Sequence, residues 1–170
     1  ESIFLDLLLA LIVMLMTAIG IYRGGMREAF SAAGLTFGIL LALEWSDRWG
    51  TWLGDNTSLS DGGGRFTVSV VLMVLGTGLV GYGVGSSFNY HPGPGGRMFG
   101  AVLGFGSALV GIAYVLTWLR NELFEGDEPE VVAGTWIARR LDGDAGMVLL
   151  VIGATIVVSA LFASFVREQD

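Results

Sequence analysis

No cysteine occurs in the chain, which excludes disulfides, thiolate catalysis and zinc–thiolate sites. Lysine is missing as well, so every basic residue is an arginine and the glycines between positions 93 and 104 cannot form a GxxxxGK[ST] phosphate loop. The arginines make no basic stripe, and a nucleic-acid partner is not expected. The single histidine, His91, precedes Pro92 in a turn; it cannot complete a multi-ligand metal site, and it gives Ser31, Ser86 and Ser87 no nearby base for a hydrolase triad. Charged residues are scarce, at 15%, and none lies in the middle of a long apolar run, so a conventional acidic proton relay has no support. Neither an enzymatic activity nor a cofactor is expected.

What the chain has instead is apolar length. Hydrophobic residues make up 53% of its 170 positions, and the mean hydropathy is +0.68. Five apolar runs approach or exceed the roughly 20 residues that a helix needs to cross about 30 Å of hydrocarbon. They are 2–21, 27–43, 66–88, 98–119 and 146–166. Unpaired sheet edges are not tolerated in lipid, and the runs are too long for barrel strands. The expected fold is therefore all-α: a polytopic membrane bundle of five transmembrane helices with short interfacial helices. The first run opens with Glu1 and Asp6 rather than a basic segment, and is expected to be a retained helix rather than a signal peptide.

The 27 glycines fall within these runs as much as between them. Lipid is as apolar as leucine, so helices in a bilayer associate where small residues let backbones approach. Gly34, Gly38 and Ala42 recur at four-residue spacing in the second run, Thr77, Gly81 and Gly85 in the third, and Gly100 and Gly104 in the fourth. The 76–111 segment predicts a tight hairpin between the third and fourth helices, with the first and fifth facing lipid or another subunit.

The net charge of −7 belongs to the loops. Arg23, Arg27 and Arg97 lie close to span ends in short connections, whereas the other connections are rich in carboxylates. By the positive-inside tendency this predicts the N-terminus outside and the C-terminus in the cytoplasm. Trp45, Trp49, Trp52, Trp118 and Trp136 all fall on the outer side. The first three share a helical face and predict an interfacial helix at headgroup depth. A second surface helix is expected over 131–141, after an acidic linker at 125–130. Arg23, Arg27 and Glu28, with Trp45, Trp49 and Trp52, are candidates for lipid or partner contact. Asp6 is expected to accept first-turn amides or to pair with Arg48 or Arg65.

The pattern Phe4-Leu5-Asp6, an apolar run to Gly20, then Tyr22-Arg23-Gly24-Gly25-Met26-Arg27-Glu28 and on to Gly34, resembles the opening of the colicin V production protein (CvpA) family. Arg97-Met98-Phe99-Gly100-Ala101-Val102-Leu103-Gly104 is similar to the basic residue and paired glycines that open that family's fourth span. The resemblance covers about residues 2–141. It makes Asp6, Arg23, Gly24, Glu28, Arg97, Gly100 and Gly104 the family-motif positions. It implies a small protein of the cytoplasmic membrane, linked to colicin V export and envelope physiology, with no established enzymatic activity. The family core is described with four spans, so 1–144 is expected to form that domain and 145–170 an added helix and tail. On this basis the chain is expected to support export or permeation as a homo-oligomer in contact with membrane lipid. The alternative is an accessory subunit of a larger respiratory, photosynthetic or secretory complex.

Overall fold

The computed structural model describes residues 2–85, 87 and 91–124. Four helices long and apolar enough to cross a membrane lie among them, and there is no strand. These are α1 (Ser2–Arg23), α2 (Gly25–Asn56), α3 (Asp61–Gly76) and α4 (Pro94–Trp118). Without interruption α3 runs on into a π-helical segment, Thr77–Val84, and α4 into another, Leu119–Leu123. The fifth expected span, the 131–141 helix and Trp136 lie outside the described residues.

The element ends have local causes. Ser60 caps α3, its Oγ accepting a bond from the Gly63 amide at 3.1 Å, so the helix starts ahead of the apolar run. Pro94 opens α4 at a position where its missing N–H costs nothing. Inside the spans the threonines return their hydroxyls to the carbonyl four residues back, as Thr17 does to Val13 and Thr77 to Met73, which satisfies those donors without water.

Three expectations are corrected. First, α2 does not end near Leu43. It continues through Trp45, Trp49 and Trp52, and no separate interfacial helix forms. Gly50 and Gly54 do not break it because the first turns of α3 pack onto them; a methyl group on Gly50 would lie 2.5 Å from Arg65 Cα. Second, the third and fourth helices barely touch. Instead α2 packs along α3 and its π segment, α1 along α4, and α2 also meets α4. Third, Trp118 is buried against Tyr114, their rings 5.7 Å apart, rather than facing headgroups.

The central position of α2 explains the core. Ala32, Leu35, Ile39 and Ala42 are enclosed by Val110 and Trp118 of α4 and by Phe66, Val70, Leu72 and Met73 of α3. By contrast α1 buries only Leu9 of its large apolar side chains and exposes Ile3, Phe4, Leu7 and Met14. In water such a surface would be a liability; in a bilayer lipid solvates it.

Candidate functional site

A single residue, Gly24, connects α1 to α2. Its φ of 78° and ψ of 161° are open only to glycine, and they reverse the chain so tightly that the Gly24 amide still bonds Gly20 O at 2.9 Å while Gly24 O accepts the Glu28 amide at 3.1 Å. The reversal sets Arg23, the last residue of α1, beside the first turns of α2.

There the guanidinium joins α2 to the π-helical segment. One terminal nitrogen donates to Ser31 Oγ at 2.6 Å and pairs with Glu28 Oε2 at 3.4 Å; the other donates to Gly81 O at 3.0 Å. Its carbon stands 4.0 Å from the centre of the Tyr82 ring. Glu28 and Ser31 are three residues apart on one face of α2, and both are buried. Ser31 also donates to Arg27 O at 3.5 Å. A charge pair sheltered this well would be costly if left alone, and the forked arginine spreads its charge over a carboxylate, a hydroxyl, a carbonyl and an aromatic face.

The carbonyl of Gly81 is available because of the π segment. The Gly85 amide bonds Tyr82 O rather than Gly81 O, and Gly81 O accepts from Arg23. A π turn holds more residues than an α turn, so Gly76 and Gly81, five apart, both face α2. A methyl on Gly76 would lie 2.6 Å from Gly34 O, and one on Gly81 2.6 Å from Ser31 Cα.

Other singled-out residues fall as follows. A methyl on Gly34 would lie 2.5 Å from Gly76 O, and one on Gly38 2.7 Å from Leu72 O; Gly85 sits beside Arg23 and Arg27. Gly100 and Gly104 meet α1 instead of α3, at Gly20 and Met16. Arg23, Gly24, Arg27, Glu28, Arg97 and Gly100 thus gather at one end of the bundle, with Arg97 exposed on the first turn of α4. Asp6 lies half-buried near the start of α1, toward the other end. There Arg65 reaches Asp47 at 3.4 Å and Glu122 at 3.9 Å, tying α2, α3 and the end of α4, while Arg48 makes no ion pair among the described residues. Trp45, Trp49 and Trp52 are exposed. Among the described residues no group of carboxylates and histidine could hold a metal.

Sequence reasoning missed Ser31, Gly81 O and Tyr82 as partners of Arg23, because the contacts join helices far apart in the chain. It also missed Gly20, whose four-residue spacing from Gly24 was the available signal.

No curated protein and no solved structure matches the chain. The family model described as Colicin V production protein matches residues 5–145, which takes in the four described helices apart from the first three residues of α1. With its lipid-facing helices and the arginine clamp at the α1–α2 reversal, the chain is a membrane protein that belongs to the Colicin V production protein family.

Proposed function

We propose that this protein supports export or permeation across the cytoplasmic membrane, through a helix bundle that works as an oligomer and catalyses no reaction. The observation that carries the proposal is the Arg23–Glu28–Ser31 cluster bonded to the carbonyl of a π-helical segment. Ionisable groups sheltered from water at the end of a membrane bundle are expensive, and such groups mark the mouths of pathways. A π segment is a register defect that can convert to α-helix. Conversion would turn Gly81 O back toward its own helix and release Arg23, so the cluster has the parts of a two-position gate. The gathering of Arg23, Arg27 and Arg97 at one end, in very short connections, supports a cytoplasmic position for that end and an outside N-terminus.

The test is flux. Full-length protein reconstituted in liposomes should release entrapped ions or small solutes, and Arg23→Gln should change the rate. Intact oligomers that pass no solute of any size would overturn the proposal.

One observation favours a second role, as an accessory subunit of a larger membrane complex. The outer face of α3 and of the π segment that continues it exposes Val71, Val74, Leu75 and Leu79, and a methyl on Gly78 would meet nothing within 4 Å. That leaves room for a neighbouring helix. A stoichiometric partner co-purifying in mild detergent would support this role; isolation of the protein alone would remove it.

A further inference from the structure

Near its C-terminal end, α2 presents an open pocket of about 550 Å³ lined by Trp45, Arg48, Trp49 and Trp52. The indoles of Trp45 and Trp49 lie nearly parallel, with planes 5° apart and centroids 6.2 Å apart, so they already form an aromatic wall. All three tryptophans are about half exposed or more, and Arg48 is exposed without an ion pair among the described residues. Arg65, the nearest arginine along the chain, is already taken by Asp47 and Glu122.

Depth identifies what meets this wall. At ~1.5 Å per residue, roughly 32 Å of helix separates Glu28 from Trp49, close to the ~30 Å of a hydrocarbon core. With the Arg23–Glu28 cluster at one edge of the membrane, Arg48 and the indoles stand at the other, level with lipid phosphates. Exposed Phe37 and Leu40 continue the surface of α2 toward the membrane interior, where acyl chains run.

Charge narrows the choice of lipid. Glu44 lies one turn before Arg48 on the same face, and Asp47 and Asp55 flank the pocket in sequence. Glu44 beside the guanidinium opposes a headgroup of net negative charge and Asp55 adds to this, whereas Asp47 is already offset by Arg65. A headgroup that carries its own cation avoids this, with phosphate on the arginine and ammonium against the indole faces and Glu44.

We propose that the Trp45–Arg48–Trp49–Trp52 pocket binds the headgroup of a zwitterionic phospholipid, its phosphodiester on Arg48 and its ammonium on the indoles. The site needs only the membrane location of the chain and is independent of permeation. Native mass spectrometry of the full chain in mild detergent, titrated separately with phosphatidylethanolamine, phosphatidylglycerol and diacylglycerol, provides the test. Phosphatidylethanolamine should be retained most tightly and diacylglycerol not at all. Arg48→Gln should weaken retention about tenfold, Trp45→Leu with Trp49→Leu about fivefold, and Arg48→Lys should keep most of it. These side chains are exposed, and unchanged far-ultraviolet circular dichroism verifies that the variants fold. Equal retention of all three lipids, a preference for phosphatidylglycerol, or an Arg48→Gln variant that binds like the parent would overturn the site. The last result would leave the pocket to a segment of this chain or a partner helix.

Discussion

Gly20 and Gly100 lie backbone to backbone, so close that a methyl group on either would strike the carbonyl oxygen of the other. The contact joins α1 to α4, and a second small residue, Gly104, extends it toward Met16, whose carbonyl would be 2.5 Å from an added methyl. Lipid offers no hydrophobic reward for holding these helices together, so the close approach itself supplies the dispersion contact and the weak Cα–H to carbonyl bonds. Gly100→Ala must push the helices apart, and should cost about 1–3 kcal/mol by the usual penalty for overpacking. Gly78→Ala, which meets no neighbour, should be neutral or slightly stabilising because alanine favours helix. Thermal unfolding of both variants in detergent separates the cases; equal midpoints would contradict the packing.

Gly24 is demanding for a different reason. The backbone limits it, since φ is 78° with an extended ψ. Gly24→Ala should cost on the order of 1–3 kcal/mol, and no compensating truncation in a neighbouring helix should restore it. Gly25→Ala offers the contrast, because its methyl would meet the Phe99 side chain. There Phe99→Leu should recover part of the loss. A double-mutant comparison of melting temperatures reads the difference.

The Arg23 cluster predicts strong coupling. With side chains only 11% and 5% exposed, Arg23 and Glu28 cannot be separated without leaving a charge in a dry place. Arg23→Gln alone should destabilise by ~3 kcal/mol or more, and adding Glu28→Gln should return part of that loss. Arg23→Lys should rescue poorly, because one ammonium cannot reach Ser31 and Gly81 O with the fork's geometry. Chemical or thermal unfolding of the four-member cycle measures the coupling; strict additivity would mean that the pair contributes nothing.

The spans were legible in the sequence because lipid imposes a length, and four of the runs coincide with long helices. Partner choice was not legible. Regular spacing singled out Gly100 and Gly104, but spacing on one helix says nothing about which helix lies opposite, and the rule that chain neighbours pack together misassigned them to α3. Gly76 was hidden by the π segment, which aligns it with Gly81 at a spacing that an α-helical wheel would separate. The tryptophans signalled an interface but not the continuity of α2, because that continuity depends on the cover that α3 gives Gly50. For Arg23 the sequence showed the charge beside Glu28; the hydroxyl, the carbonyl and the ring came only with the tertiary fold.

The absence of cysteine makes the membrane arrangement directly testable, since a single introduced thiol is the only reactive one in the chain. Thr57 follows α2 at one end of the bundle, and His91 precedes α4 at the other. Both are exposed, and the Thr57 substitution gives up only the hydroxyl's bonds to Leu53 O and the Leu59 amide at the end of α2. In intact cells a membrane-impermeant maleimide should label Thr57→Cys and leave His91→Cys unmodified until the membrane is opened, because the arginine-bearing connections belong on the cytoplasmic side. Labelling of both from outside would mean that α3 does not cross the bilayer. The reverse pattern would keep the four crossings and invert the orientation, which puts the Arg23 clamp outside and the tryptophan pocket within.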